Sequence, residues 1–239
     1  FLLLLLAGMS LFLFQNHVDG FADDHNGFLS SHGMALAKNL IGGEQLFLMY
    51  EYQAVQEGKA FYQAYNRFPL LPFSLIGLFI RPFEPQLAWQ IYAARQLMNL
   101  FLVLTMLLIS KLVAALVGDW RLAVIVTLLA TSTTYILRYS DMIFNDALGL
   151  CGFVLALYAV VKAQKGPVTG PQFALFALLP ITMSWQPYAV FGVWVAVDFV
   201  TLVLLAPAPA FAQRIALFLR SSSVRITFWA VVGGSCILG

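Results

Sequence analysis

The sequence predicts an all-α polytopic membrane protein with about seven transmembrane helices. Of its 239 residues, 61% are hydrophobic and only 10% are charged, and the mean hydropathy is +0.85. A soluble domain usually carries about 25% charged residues. Several apolar runs approach the roughly 20 residues that a helix needs to cross the hydrocarbon layer, where a spanning segment must pair its backbone groups internally. The composition therefore excludes an ordinary soluble domain.

Two further features of the composition narrow the function classes. The net charge of +2 is too small to indicate nucleic-acid binding. The two cysteines, Cys151 and Cys236, both lie in apolar runs. They therefore indicate neither a disulfide framework nor a thiolate metal site.

Hydropathy places the spans and divides the chain into three parts. We expect a truncated first helix (1–14), a long loop (15–86) and a bundle of about six helices (87–239) that is truncated at its C-terminus, all within a longer protein. The opening run "FLLLLLAGMS" is also compatible with a signal-peptide core. The predicted spans are 1–14, 87–110, 121–137, 143–162, 171–185, 188–205 and 226–239.

The long loop is predicted to carry amphipathic surface helices. Residues 27–43 indicate a short helix with leucines on one stripe, ended by a pair of glycines. Residues 44–65 indicate a second helix, rich in the aromatic side chains that suit the headgroup layer. The four prolines of residues 66–85 indicate a half-buried re-entrant or surface segment.

Charged residues predict which side of the membrane the loop occupies. With 15–86 outside the cytoplasm, the inner connections carry one acid, Asp119, against seven basic residues. These are Lys111, Arg121, Lys162, Lys165, Arg214, Arg220 and Arg225. This excess agrees with the positive-inside rule, so we expect the loop to be extracytoplasmic.

An acidic cluster follows the first span directly. Asp23 and Asp24 are adjacent, and a carboxylate at the membrane surface can act as a general base for a hydroxyl or as a metal ligand. Two neighbouring carboxylates raise each other's proton affinity, which suits one to accept a proton while the other orients. A solvated acidic loop is the alternative interpretation.

Histidines accompany the cluster. His25 and His32, with the nearby acids, offer enough nitrogen and oxygen ligands for a divalent ion such as Mg²⁺, Mn²⁺ or Zn²⁺. No H-x-x-x-H or H-E-x-x-H spacing fixes two of the histidines on one helix face. Structural or substrate-contacting histidines are therefore the alternative.

A second outer loop, "LRYSDMIFND" at 137–146, supplies Asp141 and Asp146 near the start of the fourth span. Charged residues at the start of a span often lie at the membrane–water interface without a further role, but acids and an arginine on the same side of the membrane as the first cluster favour a functional role.

Three outer arginines are predicted to hold a lipid-linked phosphate through bidentate bonds, with snorkelling to headgroups as the alternative. They are Arg67, Arg95 and Arg138.

The layout resembles the GT-C superfamily of polytopic glycosyltransferases, including relatives of protein mannosyltransferases and lipid A aminoarabinose transferases. The resemblance covers most of the chain by layout, but by residues only "DGFADDHNGF" and "RYSDMIFND". It implies that Asp23–Asp24 is the catalytic base, with Asp19 as a less favoured substitute, and that Asp141 or Asp146 is the acid of the second loop. The chain departs from the commoner pattern because it has no Asp-Glu pair there.

The resemblance implies an inverting enzyme that moves a sugar from a polyprenyl-phosphate donor to an acceptor outside the cytoplasm. Its partners would be the lipid-linked donor, membrane lipids and other membrane proteins, and its location would be a bacterial inner membrane. Two alternatives stay open. A non-catalytic subunit of a larger complex would use the acids as ordinary headgroup-level residues, and a transporter would use Asp198 inside the sixth span.

Overall fold

The computed structural model describes residue 8 and residues 25–42, 50–56, 59–64, 70–133, 136, 142–206 and 211–238, and this part is predominantly helical. The helices are α1 (His25–Gly42), α2 (Leu70–Ile80), α3 (Leu87–Val117), α4 (Trp120–Thr131), α5 (Asp146–Lys165), α6 (Gly170–Ala177), α7 (Leu179–Met183), α8 (Gln186–Phe199), α9 (Phe211–Leu219) and α10 (Ser222–Leu238). A 3-10 turn, Arg81–Phe83, follows α2, and the π-helical segment Val200–Leu205 continues α8.

Three of these helices are long and apolar enough to cross a membrane. They are α3, α5 and the continuous helix Gln186–Leu205. The pair α9 and α10, bent by 51°, makes a fourth if it acts as one span. These helices coincide with predicted spans, so a helical membrane protein is supported. The helix α4 and the pair α6–α7 are apolar but shorter, and most of 1–14 lies outside the described residues, so the number seven stays a prediction.

The structure corrects the helix predicted for 44–65. Residues Tyr50–Gln56 and Lys59–Ala64 are strands β1 and β2, which pair antiparallel. Tyr50 pairs with Ala64 and Gln56 pairs with Lys59. Tyrosine, valine and phenylalanine favour strands, and the two-residue connection between the strands contains a glycine, which is typical of hairpins. Four of the aromatic residues that suggested a surface helix, Tyr50, Tyr52, Phe61 and Tyr62, therefore belong to a hairpin.

The structure contains helices in the other two predicted parts of the long loop, while their location at a membrane surface stays a prediction. The helix expected over 27–43 is α1, with Leu36 buried and Leu29 partly buried. The proline-rich segment contains α2, in which Pro72 lies in the first turn, where proline costs a helix least. Phe73 and Ile76 of α2 are fully buried, while Leu78 is 60% exposed, so this helix is half-buried.

The main core joins α1, α2, α3 and α5. Its largest buried members include Leu36, Phe73, Met98, Ile143 and Leu148. Because the first half of α3 contacts α5 and the segment before it, the amino-terminal ends of these two spans lie at the same end of the bundle.

The opposite end of α3 turns directly into α4. Gly118 has a φ of 80°, a left-handed conformation that glycine adopts at little cost, and it ends α3. Asp119 then caps α4 by accepting a hydrogen bond from the backbone N–H of Arg121 at 2.8 Å. Ser110 Oγ lies 2.8 Å from Thr127 Oγ1, and this pair sets the register of the two antiparallel helices.

Asp198, the acid that suggested a transporter, has a neighbour in α10. The hydroxyl of Ser223 donates a hydrogen bond of 2.5 Å to its carboxylate, and Ser221 Oγ lies 2.8 Å from Ser223 Oγ. The carboxylate therefore lies at the amino-terminal end of α10, where the helix dipole favours negative charge. This geometry gives Asp198 a structural role in joining α8 to α10.

We expect Ser223→Ala to lower the free energy of unfolding by about 1–3 kcal/mol, because the buried hydroxyl satisfies a carboxylate inside the bundle. The measurement is thermal unfolding of the protein in detergent micelles. Ser132→Ala is the matched control, since the hydroxyl of Ser132 is exposed and donates only to Leu129 of its own helix. Equal melting temperatures for the two variants would contradict the role of Ser223.

Candidate functional site

One end of the bundle contains a contact between α1 and the segment that precedes α5. The backbone N–H of Ile143 donates a hydrogen bond of 3.1 Å to Ser30 Oγ, and both groups are buried. The ring of His32 lies between those of Phe28 and Phe144, with centroids 6.2 Å from each. We call these residues and Gly33 the α1–α5 junction.

Gly33 allows the two segments to come this close. A Cβ atom at this position would overlap the carbonyl oxygen of Ile143 and would lie 3.4 Å from Phe144 Cδ2. Any side chain larger than hydrogen therefore separates α1 from residues 142–144.

The α1–α5 junction is built from residues that come shortly after the acids singled out in the sequence. His25, the first residue of α1, directly follows Asp24, and Met142 directly follows Asp141. The segments that follow Asp24 and Asp141 in the chain are therefore in contact. Asp23, Asp24 and Asp141 themselves lie outside the described residues, as do Arg67 and Arg138, so their predicted roles stay predictions.

Among the acids predicted for the transferase site, Asp146 is the one that lies in the described part of the chain. It is the first residue of α5, with an exposed side chain. Its neighbour Asn145 is 4% exposed, and Asn145 Oδ1 has no hydrogen-bond partner among the described residues. An acid in the first turn of a helix also interacts favourably with the helix dipole, which gives a structural reason for an aspartate at position 146.

The connection between α7 and α8 is a third polar segment that lies near the first turns of α5. Gly149, one turn after Asn145, lies against the connection between α7 and α8, and a Cβ there would be 3.4 Å from Ser184 Oγ and 3.9 Å from Gln186 Oε1. Ser184 is 1% exposed. Sequence reasoning did not select Ser184, because a serine after an apolar helix is common and carries no spacing signal.

The first half of α3 adds buried polar groups at this end of the bundle. Arg95 and Asn99 are only 6% and 0% exposed, and their spacing of four places them on one side of the helix. Both have interactions with other residues. Their neighbours Ala94 and Met98 belong to the core that includes Phe144. Arg95, predicted as a phosphate-binding residue, is thus buried at the same end as the α1–α5 junction.

Gln90 is a polar residue that sequence reasoning missed. It is 1% exposed, and neither its amide nitrogen nor its amide oxygen has a hydrogen-bond partner among the described residues. A buried primary amide without a partner is costly. The sequence feature that could have indicated a buried polar group here is a glutamine in an apolar span, five residues before Arg95.

The predicted metal ligands His25 and His32 both lie on α1. A separation of seven residues corresponds to about 10.5 Å along a helix axis, whereas helical metal pairs usually lie one turn apart. No group of three or more metal-binding side chains occurs within the part of the chain that the structure describes. The divalent ion therefore stays an expectation that this geometry does not strengthen.

In comparisons with protein-family models, curated proteins and solved structures, none matched this chain. The resemblance to the GT-C superfamily therefore rests on the layout and the residues of two loops.

Proposed function

We propose that the protein transfers a sugar from a polyprenyl-phosphate donor to an acceptor on the extracytoplasmic side of the membrane. The observation that carries this proposal is the α1–α5 junction. The hydrogen bond between Ser30 and Ile143 holds together the segments that follow Asp24 and Asp141 in the chain. Ser30 and Ile143 are 113 residues apart in sequence, and acids from two such distant segments need a contact of this kind if they act on one substrate.

Arg95 supports the choice of a phosphate-bearing substrate. Placing a guanidinium in a membrane span is costly, and such residues usually pair with another group or serve a function. A guanidinium binds phosphate through two parallel hydrogen bonds, and it stays charged even when buried. Arg95 is 6% exposed and lies in the first third of α3, at the end of the bundle that carries the α1–α5 junction.

The proposed reaction is a single displacement. Asp23 or Asp24 accepts the proton of the acceptor hydroxyl while the hydroxyl oxygen attacks the anomeric carbon of the sugar. The bond between that carbon and the phosphate oxygen breaks, and polyprenyl phosphate leaves with the bonding electron pair. Attack from the opposite face inverts the anomeric configuration.

Other polar residues have supporting roles in this proposal. Arg95, with Arg67 and Arg138, stabilises the negative charge that develops on the leaving phosphate. Asp141 or Asp146 orients the donor, directly or through a divalent ion.

The test is a transfer assay with the full-length protein in proteoliposomes. It uses a panel of radiolabelled sugars on undecaprenyl phosphate, with acceptors extracted from the outer face of the membrane. Labelled acceptor is the expected product. If no donor in the panel yields product, while the reconstituted protein is folded, the transferase proposal is wrong and a non-catalytic subunit becomes the better interpretation.

We expect Arg95→Met to raise the KM for the donor by about 10–100-fold, because a charge-assisted contact to phosphate is lost. Arg95→Lys should restore part of this loss, since lysine keeps the charge but not the bidentate geometry. Arg121→Met, at an exposed position beyond the other end of α3, is the matched control and should leave the KM unchanged. A similar KM for all four proteins would remove Arg95 from the donor site.

A further inference from the structure

A groove opens between the spans α3, α5 and α8. Its volume is about 560 Å³, within the range of cavities that hold small ligands. Its walls are almost entirely aliphatic, apart from the indole of Trp194 and the amide of Gln164. The lining includes Leu112, Leu116, Val160, Val161, Ala189 and Val193.

The groove lies away from the α1–α5 junction, at the opposite end of the bundle. Leu112 and Leu116 belong to the last turns of α3, and Gln164 belongs to the last turn of α5. Along α8 the lining runs from Ala189 to Val197, a length of about 12 Å. An aliphatic trough of this length fits a hydrocarbon chain that lies parallel to the spans.

Basic side chains border the end of the groove. Lys111 precedes Leu112, and Lys162 and Lys165 lie on either side of Gln164 in the sequence. All three lysines are exposed. The ammonium group of Lys165 donates a hydrogen bond to the carbonyl of Ala115. Ala115 lies one turn from Lys111 on the same side of α3, so Lys165 reaches the side of α3 that carries Lys111.

Basic groups of α3 and α5 therefore lie at the same end of the groove, and an anion at this place is attracted by both. Asp119, the acid nearest in sequence to this end of α3, already caps α4. A phosphate at the membrane surface is therefore the complementary group. Basic pockets between transmembrane helices are known to select anionic lipid headgroups.

We propose that this groove binds an anionic phospholipid, with one acyl chain between α3, α5 and α8 and the headgroup phosphate between Lys111 and Lys165. The lipid holds the ends of three spans together. The site is separate from the proposed sugar transfer, and it exists whether or not the protein is a transferase.

The test compares lipid retention by the full-length protein after detergent exchange. The protein is incubated with equal amounts of phosphatidylglycerol and phosphatidylcholine with the same acyl chains, and bound lipid is counted by native mass spectrometry. We expect the wild type to retain phosphatidylglycerol preferentially. The double variant Lys111→Gln/Lys165→Gln should retain about 25-fold less, taking a factor of about 5 for each lysine near the surface.

Three further variants separate the site from general electrostatic attraction. Val193→Trp places a large ring in the groove and should lower the retention of both lipids, whereas Leu129→Trp, on the exposed face of α4, should not. Arg121→Gln removes a basic residue that stacks on Trp120 outside the groove and should have little effect.

Unchanged retention in the double lysine variant, equal retention of the two lipids by the wild type, or an equal loss with Arg121→Gln would each overturn the proposed site. Because Val193 is 64% exposed, its substitution is compatible with folding, and a thermal unfolding scan checks this directly.

Discussion

Sugar transfer is expected to fall by about 10²–10⁴-fold when Asp23 and Asp24 are both replaced by asparagine, which is the usual contribution of a general base. Asparagine keeps the shape of the side chain but cannot accept the proton of the acceptor hydroxyl at neutral pH. The effect should appear in kcat, because proton removal belongs to the transition state rather than to donor binding. The measurement is the initial rate of transfer in proteoliposomes at saturating donor.

The single variants assign the base. Loss of transfer with only one of Asp23→Asn and Asp24→Asn identifies the residue that accepts the proton, and a smaller effect in the other identifies an orienting role. Asp19→Asn tests the less favoured substitute in the same acidic stretch and should leave most of the rate. If the double variant transfers sugar at the rate of the wild type, the base assignment is wrong, although the function would stand if another residue supplied the base.

Gly33→Ala is expected to open the α1–α5 junction. The new Cβ would overlap the carbonyl oxygen of Ile143 and would lie 3.1 Å from the carbonyl carbon. Backbone atoms cannot rotate away as a flexible side chain can, so α1 or residues 142–144 must shift. Overpacking of this kind typically costs about 1–3 kcal/mol. The shift also breaks the hydrogen bond between Ser30 and Ile143.

Two measurements check this prediction. Thermal unfolding should show a lower melting temperature, and amide hydrogen exchange should become faster in α1 and in residues 142–146. Gly192→Ala is the matched control, because Gly192 is exposed on α8 and a Cβ there meets nothing within 4 Å. Alanine at that position is expected to be neutral or to stabilise the helix by up to about 1 kcal/mol. Equal behaviour of the two alanine variants would show that the junction is not tightly packed.

Measuring sugar transfer by Gly33→Ala relates the prediction for the catalytic base to the prediction for the α1–α5 junction. If the two acidic loops must meet for catalysis, this variant loses activity while Asp23 and Asp24 are intact. Full activity with an opened junction would mean that the second loop takes no part in the reaction.

The apolar helices could be recognised from the amino-acid sequence, because the preference of a side chain for a hydrocarbon environment is a local property that adds up along a segment. The spans α3 and α5 were predicted for this reason, and the structure contains both. The helix α1 was predicted from its stripe of leucines and its closing glycines, and the structure contains this helix as well. The hairpin of β1 and β2 was not predicted, since aromatic residues suit both a strand and a helix at the membrane surface. Pairing between the two strands favours the hairpin.

The site depends on contacts between residues that are far apart in the chain. Nothing near Gly33 in the sequence indicates that Ile143 will lie against it, and nothing near Asp198 indicates that Ser223 will donate to its carboxylate. The burial of Gln90 likewise comes from the helices packed around α3. Such contacts follow from close packing in three dimensions, where the surface shape of one helix limits which side chains fit on the helix beside it. Hydropathy and residue spacing along the sequence do not contain this information.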